Sequence, residues 1–227
     1  MKLPVSNRLL ACCQFVRPGE RVADVGCDHG YLAIHLLKSG IASSVIASDV
    51  NQAPLQSAVL NARKFGVQEQ ICFYLSDGVR QIPRDFDRLV CAGMGADTMI
   101  SILEAAPWLR DGKYHLVLQC QSKRPALRRY LAQAGFSISR ETLARDGKFI
   151  YPVMEVVYAP APPPAPWEYY ISPALLASRS PLLPEFLARV LRGLEDSAQG
   201  LRREGGAQYQ EITQVLLHLR ELEGANP

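Results

Sequence analysis

The stretch VADVGCDHGYLAIHLL, residues 22–37, places a short apolar run directly before a glycine turn and an amphipathic helix. Gly26 and Gly30 permit a sharp turn and a close approach of backbone N–H groups to a ligand. Asp24 and Asp28 add two carboxylates to the same turn. A buried strand that turns into a helix in this way is typical of a parallel sheet, so this stretch restricts the chain to α/β folds.

The same alternation recurs along the first two thirds of the chain. Short apolar runs predict five strands, and the segments between them predict four helices. Strands that alternate with helices favour parallel pairing through right-handed crossovers. The predicted strands are residues 21–25, 45–49, 71–75, 88–92 and 115–119, and the predicted helices are residues 31–39, 53–65, 96–105 and 126–134.

Two further strands, residues 137–143 and 150–158, flank the segment ARDGKF. Asp146 followed by Gly147 is typical of a hairpin turn, so these strands are predicted to pair antiparallel. Five parallel strands completed by an antiparallel pair form the seven-stranded sheet of nucleotide-type α/β enzymes. The sequence therefore predicts one Rossmann-like α/β domain over residues 1–159.

A proline-rich segment, APAPPPAPWEYY, follows this domain. Proline disfavours both helix and central strand, so residues 160–171 are predicted as a stiff extended linker. Two apolar patterns in residues 172–227, interrupted by EGGAQ, predict an antiparallel α-helical hairpin or coiled coil that either stabilises the body or also holds a substrate. The predicted apolar seams are Leu183, Leu187, Val190, Leu194, Ser197 and Leu201 in the first helix and Tyr209, Ile212, Leu216, Leu219 and Leu222 in the second.

Composition excludes several classes of protein. The six cysteines are scattered without a C-x-x-C pair, which favours reduced buried thiols in a cytoplasmic protein and predicts no metal site. No apolar run is long enough to span a bilayer and the N-terminus lacks a signal-peptide pattern, so no membrane association is expected. Residues 1–159 carry 19 Lys and Arg against 14 Asp and Glu, which fits an anionic partner such as RNA.

The carboxylates of the first turn discriminate between cofactors. A dinucleotide-binding turn carries G-x-G-x-x-G, whereas here the spacing is G-x-x-x-G and Asp28 stands near the place of the middle glycine. Carboxylates repel a pyrophosphate, but they attract the sulfonium and ammonium groups of S-adenosylmethionine. The alternative is a plain tight turn of an α/β fold. The turn residues predicted to bind this cofactor are Asp24, Gly26, Cys27, Asp28, His29 and Gly30.

Polar and small residues also follow the next three predicted strands. Asp49 is expected either to accept hydrogen bonds from two ribose hydroxyls or to cap the following helix. Asp77 is a candidate acceptor for the adenine amino group or a turn residue. Met94, between two glycines, either contacts the substrate base or fills the core. The other candidates here are Val50, Gly78, Ala92 and Gly93 for the cofactor and Gly95 for the substrate.

In order and spacing these motifs resemble the bacterial tRNA adenine-N1 methyltransferases that modify adenine 22. The resemblance covers most of residues 3–158 and extends into the helical tail, and its most specific parts are DHGY and AGMG. It implies a class I methyltransferase domain, a C-terminal coiled-coil pair, S-adenosyl-L-methionine as methyl donor and tRNA as substrate. Two departures are Ala96, where the family usually has glycine, and LQCQ, where it has an LQPN-like element.

Methylation of adenine N1 needs alignment more than a base, because the N1 lone pair is free at neutral pH. The catalytic candidates are Tyr31, Asp28 and Met94, with Tyr31 expected either to stack on the base or to pack on the sheet. His29 is disfavoured as a general base. A monomer is expected. The candidates for contact with tRNA, or else for a solvated helix face, are Arg8, Gln119, Lys123, Arg124, Arg128 and Arg129.

Two other functions stay open at this point. One keeps the same cofactor but methylates another RNA, a small molecule or a protein. The other is a non-catalytic RNA-binding protein with a vestigial cofactor fold. The basic body and the helical tail argue against a small-molecule acceptor, and the intact Asp24, Gly26, Gly30 and Asp49 argue against a vestigial site.

Overall fold

The computed structural model describes residues 3–202 and 205–225, in which seven strands form one sheet. The strands are β1 (Glu20–Val25), β2 (Ala42–Asp49), β3 (Ile71–Leu75), β4 (Arg88–Met94), β5 (His115–Cys120), β6 (Phe136–Asp146) and β7 (Phe149–Tyr158). Their order is β3-β2-β1-β4-β5-β7-β6. The first five strands pair in parallel, and β7 runs antiparallel to β5 and β6. The predicted seven-stranded, Rossmann-like fold is confirmed.

Helices connect the strands and form the C-terminal part. They are α1 (Asn7–Cys13), α2 (Tyr31–Lys38), α3 (Gln52–Phe65), α4 (Ala96–Glu104), α5 (Arg124–Gln133), α6 (Pro173–Ala177), α7 (Leu183–Leu201) and α8 (Ala207–Ala225). The sequence analysis missed α1 and α6, because seven and five residues are too few to show a helical period. Within the described residues, no helix combines the length and the apolarity needed to cross a membrane.

Helices cover both faces of the sheet. Side chains alternate along β1, so Val22 packs with α1, α2 and α3 while Ala23 packs with α4 and α5. A strand buried on both faces is apolar throughout, which explains the continuous apolar runs of the sequence. The polar residues that end these strands are therefore confined to the carboxyl edge of the sheet, between the two helical layers.

The opposite edge of the sheet buries a charge network. Arg88 opens β4, is fully buried, and donates to Glu20 at 2.6 Å and to Glu155 at 2.8 Å. Burial disfavours the ionised form of Glu155, but hydrogen bonds from Arg140 and Arg88 outweigh it and lower its pKa to about 2. Each charge of this network has a partner, so the network holds β1, β4 and β7 in register.

The helical hairpin of α7 and α8 packs on the turn end of β6 and β7. Leu143 and Ile150 share one apolar cluster with Phe186 and Leu219. Arg189 also donates to the carbonyl oxygen of Lys148 at 2.9 Å. The hairpin is therefore joined to the sheet domain over its base instead of extending freely. Residues 203–204 and 226–227, which belong to the predicted hairpin, lie outside the described residues.

The predicted linker is extended only in its first part. Residues 159–165 have no regular structure, but Pro166–Tyr169 forms a 3₁₀ turn that begins at a proline, whose fixed φ suits a helical start. The Trp167 ring stacks on His218 at 4.5 Å, and Ile171 is fully buried in the hairpin cluster. The prediction of an extended segment is wrong for this second part, which belongs to the core of the hairpin.

The buried face of α7 also differs from the predicted seam. Phe186 and Leu191 are buried although the heptad pattern left them out, and Ser197 is exposed although the pattern included it. A helix with 3.6 residues per turn drifts from a repeat of 3.5, and α7 must face the β6 and β7 turn as well as α8. The apolar face is therefore broader than that of a strict two-helix coiled coil.

Candidate functional site

Two adjoining cavities open at the carboxyl ends of β1, β2 and β4. The larger lobe, about 550 Å³, is lined by Asp49 and Asp77 among others. The smaller lobe, about 240 Å³, is lined by Asp24 and Arg8 among others. Gly26 and Met94 line both lobes. The predicted convergence of acidic strand ends on one cleft is therefore present in the structure.

Asp24 is the most unusual group of the smaller lobe. Asp24 is buried within the sheet, with 3% of its surface exposed, and its Oδ2 has no hydrogen-bond partner. Burial raises the pKa of this carboxyl to about 7; a hydrogen bond from the Ala33 backbone opposes the rise and the neighbouring charge of Asp49 adds to it. A buried acid with an unpartnered oxygen is suited to bind a cationic ligand group.

Asp49 is held rigidly at the end of β2. Its Oδ2 accepts the backbone N–H of Asp28 at 3.1 Å, and its Oδ1 accepts that of Asn51 at 2.9 Å. Asp28 reaches this position with a φ of 51°, which is uncommon for a residue with a side chain. Each carboxylate oxygen keeps a lone pair for a ligand, so Asp49 is oriented to accept two further hydrogen bonds.

The two glycines of the first turn have different roles. The N–H groups of Gly26 and Cys27 donate to the carbonyl oxygen of Ser48 at 2.8 and 2.9 Å, which ties the turn to β2. Gly30 lines neither lobe. A Cβ there would lie 3.0 Å from the Cβ of Ala58, so Gly30 allows α2 to approach α3. Gly30 therefore serves the packing of α2 against α3, and its contact with the cofactor stays a prediction.

Arg8 belongs to the smaller lobe, although the sequence analysis assigned it to tRNA. Helix α1 carries it over the end of β4, where its Nη1 donates to Gln119 Oε1 at 3.2 Å and its Nε lies 3.7 Å from Asp146 Oδ2. The N–H of Gly93 donates to the same Gln119 oxygen at 3.0 Å. Gln119 is fully buried and its Nε2 has no partner, so direct contact with a large substrate is excluded for it.

Three other predicted residues line the open rim of the smaller lobe. The ring centroids of His29 and Tyr31 are 5.9 Å apart. His29 Nε2 lies 3.6 Å from Asp28 Oδ1, and both side chains are at least half exposed. This rim combines aromatic rings with a carboxylate at the point where a second reactant has access.

The family described as "Methyltransferase domain" matches residues 5–154, more than half of the chain. The chain belongs to this family. The resemblance derived from the motifs is confirmed by the individual relatives as well.

A curated relative, the tRNA (adenine(22)-N(1))-methyltransferase of Bacillus subtilis (strain 168), is 31% identical over 149 residues. The match covers 65% of this chain and 63% of the relative, so it spans less than two thirds of the relative's length. The fold likeness extends further along the chain. The crystal structure of Streptococcus pneumoniae Sp1610, a candidate tRNA (m1A22) methyltransferase, superposes with a TM-score of 0.85 and 26% identity over 96% of this chain and 99% of that one.

The same Streptococcus pneumoniae protein has been crystallised in complex with S-adenosyl-L-methionine. That structure superposes on this methyltransferase with a TM-score of 0.80 and 29% identity. It covers 93% of this chain and 99% of the other. The likeness therefore includes both the sheet domain and the C-terminal helices.

The remaining cofactor candidates of the methyltransferase divide between the lobes. Val50, Asp77 and Gly78 line the larger lobe, and the Asp77 N–H donates to Gln81 Oε1 at 2.9 Å. Cys27, Ala92 and Gly93 line the smaller lobe. Gly95, predicted to contact the substrate, precedes α4 and lines neither lobe.

The predicted basic cluster separates into a surface residue and residues of the hairpin joint. Lys123 is exposed, and its Nζ lies 2.6 Å from Asp97 Oδ2 at the larger lobe. The guanidinium of Arg124 lies 5.2 Å from the centre of the Phe186 ring on α7. Arg129 is 2.9 Å from Glu211 on α8. Thus Lys123 pairs with an acid that lines the cleft, while Arg124 and Arg129 contact the hairpin.

Arg128 does not reach solvent. Only 3% of its surface is exposed, and its Nη2 donates to Glu141, which also accepts a hydrogen bond from Ser172. The prediction that Arg128 contacts tRNA is therefore wrong. Its sequence neighbourhood resembles a basic patch, but Arg128, the fifth residue of α5, faces the sheet and the hairpin.

Several lining residues escaped the sequence analysis. Asn51 and Ser76 border the larger lobe directly beside predicted strand-end acids, so their position next to Asp49 and Asp77 was the available signal. Thr98 and Ser101 border it from α4, shortly after the AGMG motif, but no sequence pattern indicated which face of this helix lines the lobe. Their contribution depends on how α4 packs over the strand ends.

Proposed function

We propose that this methyltransferase transfers a methyl group from S-adenosyl-L-methionine to N1 of an adenine in tRNA, at position 22, and releases S-adenosyl-L-homocysteine. The observation that supports this cofactor is the buried Asp24, whose Oδ2 has no hydrogen-bond partner. It lies in a cleft whose other acid, Asp49, is oriented by two backbone N–H groups. The likeness to relatives named for adenine 22 of tRNA supports the substrate.

The two lobes suit the two halves of this cofactor. In the larger lobe, Asp49 accepts hydrogen bonds from the ribose hydroxyls and Asp77 from the adenine amino group. In the smaller lobe, Asp24 Oδ2 binds the cationic methionine end, and Arg8 pairs with its carboxylate. A pyrophosphate-bearing nucleotide would instead meet carboxylates in both lobes.

Bound S-adenosyl-L-methionine supplies an electrophilic methyl group on a sulfonium. The protein then has to align adenine N1 with that methyl group, because N1 carries no proton and its lone pair is available. Tyr31 orients the base at the rim of the smaller lobe. Positive charge passes from sulfur to the adenine ring during the transfer, and the exposed Asp28 carboxylate at the same rim stabilises this charge.

The N1 edge of adenine pairs in folded RNA, so the target base must be unpaired or turned out before it enters the cleft. Lys123 stands beside the larger lobe and is placed to contact an RNA phosphate. We also propose that the protein is a monomer and that it acts in the cytoplasm, where its substrate is found.

Methyl transfer to a defined transcript tests this proposal. The purified protein and labelled S-adenosyl-L-methionine are incubated with an unmodified tRNA that carries adenine at position 22, and with a matched transcript that carries guanine there. We expect one 1-methyladenosine per molecule in the first transcript and none in the second, as mapped by nuclease digestion and mass spectrometry. Equal labelling of both transcripts, or labelling only of free nucleosides or protein, contradicts the proposed substrate.

A further inference from the structure

The two lobes of the cleft meet beneath the side chain of Met94. An ideal Cβ built on Gly26 would lie 2.2 Å from the terminal methyl of Met94 and 3.9 Å from its sulfur. The methyl therefore rests directly on the backbone of the first glycine turn. Because Gly26 and Met94 line both lobes, this side chain crosses the passage between them.

The backbone of Met94 is fixed, so only its side chain is free to move. The residue ends β4, next to a shift in the register with β5, and its carbonyl oxygen accepts the N–H of Gln121 at 2.9 Å. Helix α4 begins two residues later. The methionine side chain is unbranched and has three rotatable bonds, and Met94 is only partly buried. It can turn without a change in the sheet.

A single ligand must pass through the place that the methyl group occupies. A molecule that binds Asp49 through a ribose and Asp24 through an ammonium group extends from one lobe to the other over Gly26. If the methyl donor binds as proposed above, its sulfonium lies between these two anchors. That is the position over Gly26 now filled by the Met94 methyl.

We propose that Met94 is a displaceable plug in this cleft. In the free protein it closes the passage between the lobes, and it turns outward when the methyl donor binds. The displaced side chain then forms the wall between the sulfonium and the entering adenine. Met94 is thus a positioning residue that couples the loading of the cofactor to completion of the base pocket. The displacement of Met94 rests only on the proposed methyl donor, and the wall that it then forms rests also on the proposed adenine acceptor.

This coupling lowers the apparent affinity for the cofactor, and the loss can be measured. A ligand that binds only the open form has an apparent affinity reduced by the fraction of molecules in that form. Removing the plug should therefore improve binding of the cofactor product even though contacts are lost. A residue that merely contacts the ligand would show the opposite, because truncating a contact weakens binding.

The test compares Met94→Ala with Val50→Ala for binding of S-adenosyl-L-homocysteine by calorimetry and stopped flow. Val50 lines the larger lobe and is 62% exposed, but it does not border the passage, so it controls for lost contact. For Met94→Ala we expect a Kd about threefold or more below wild type and faster association, whereas Val50→Ala binds more weakly. Met94→Ile, with its stiff branched side chain, should associate about tenfold more slowly.

A rise in Kd for Met94→Ala like that of Val50→Ala would make Met94 an ordinary contact and overturn the proposal. Unchanged affinity together with an unchanged association rate would overturn it as well. Thermal unfolding of each variant checks folding, and the conclusion depends on Met94→Ala if Met94→Ile is unstable. A failure of the proposed function is recognised separately, since wild-type protein would then bind no S-adenosyl-L-homocysteine at all.

A second measurement distinguishes a displaceable Met94 side chain from one that only fills the core. Met94→Ala lacks the side chain that would separate the sulfonium from the adenine. Its kcat for methyl transfer should therefore be lower than that of wild type, while its affinity for S-adenosyl-L-homocysteine should be higher. A side chain that only fills the core would lower thermal stability without this opposite movement of kcat and affinity. Unchanged kcat would contradict the role proposed for the displaced side chain.

Discussion

The cleft and the joint between sheet and hairpin each bury one carboxylate to the same degree, but only the carboxylate of the joint pairs with a cationic side chain. Asp24 and Glu141 are both 3% exposed. Glu141 accepts hydrogen bonds from Arg128 and from Ser172, so its charge is neutralised within the fold. Asp24 Oδ2 has no partner, and burial raises the pKa of Asp24 to about 7.

The difference teaches how to separate a structural charge from a functional one. A buried ion pair whose opposite charges meet inside the fold fixes how two elements pack, as Arg128 and Glu141 do although Arg128 Nε and Nη1 have no partner. A buried acid left without a cation lowers the stability of the fold, and it is retained where a ligand supplies the missing charge. Burial alone does not distinguish these two cases, whereas the partners do.

The largest expected effect concerns the joint. Arg128→Met leaves Glu141 buried without its guanidinium partner, so we expect a loss of about 3–5 kcal/mol in the free energy of unfolding. Urea denaturation followed by circular dichroism measures it. Arg129→Met, which removes an exposed ion pair of the same helix, should cost less than about 1 kcal/mol. Similar losses for the two variants would show that the buried pair contributes no more than the exposed one.

Asp24→Asn should weaken ligand binding without preventing folding. The variant keeps the shape of the side chain but removes the charge that faces the smaller lobe, so we expect the Kd for S-adenosyl-L-homocysteine to rise by about 100-fold. Calorimetry measures this change, and Asp97→Asn is the control, because Asp97 is an exposed acid of the larger lobe to which no cofactor contact is assigned. An unchanged Kd in Asp24→Asn would contradict the distinction drawn between Asp24 and Glu141, because Asp24 would then be a buried acid that binds no ligand.

The pH dependence of stability sharpens the comparison further. The folded pKa of Asp24 is about 7, above its ordinary 3.8, so the folded state binds more protons than the unfolded state between these values. The stabilisation that protonated Asp24 gives the folded state is complete at low pH, and it is lost as the pH rises to the folded pKa of about 7. Relative to Asp24→Asn, the wild type should lose about 2–3 kcal/mol between pH 5 and pH 8. Parallel stability curves for the two proteins would contradict the raised pKa.

The same group should make cofactor binding depend on pH. A cationic ligand favours the ionised form of Asp24, so affinity for S-adenosyl-L-homocysteine should rise by about tenfold from pH 6 to pH 8. Calorimetry in buffers of different ionisation enthalpy should also detect release of a proton on binding near pH 6. Asp24→Asn should lose both effects, and a pH-independent wild type would contradict the assignment.

The smallest effect is expected at the cleft surface. Lys123→Gln removes one exposed positive charge, so tRNA binding should weaken a few-fold and the slope of log affinity against log salt should fall by about 1. Filter binding at several salt concentrations measures both quantities. Arg179→Gln, a charge of the hairpin side with no role in the cleft, serves as the control. Equal effects of the two changes would exclude a specific contact at Lys123.

The fold could be predicted because each strand and helix has its own period in the sequence. The five parallel strands and four of their helices emerged from short apolar runs, and their ends differ from the structure by only a few residues. Helix α1 could not be found this way, although it carries Arg8 into the smaller lobe. The second part of the linker also escaped, because its 3₁₀ turn depends on packing against α8.

The site was predictable where a residue follows directly from a strand end. Asp24, Asp49 and Asp77 reach one cleft because parallel strands present their carboxyl ends at the same edge. The prediction failed for Arg128, whose guanidinium pairs with Glu141 inside the fold. Gly30 was predicted as a cofactor contact, and in the structure it lets α2 approach α3. A glycine that admits a ligand and one that admits a helix look alike in sequence.

The order of residues alone accounts for the alternation of strands and helices, the acids at the strand ends and the presence of a helical tail, since these depend on neighbours along the chain. The partners of the buried charges follow from tertiary packing, because those partners lie far away in sequence. Arg128 meets Glu141 and Ser172 through the docking of the hairpin, and Met94 meets Gly26 through the pairing of β4 with β1. Such contacts depend on how separate elements pack, and no local pattern encodes them.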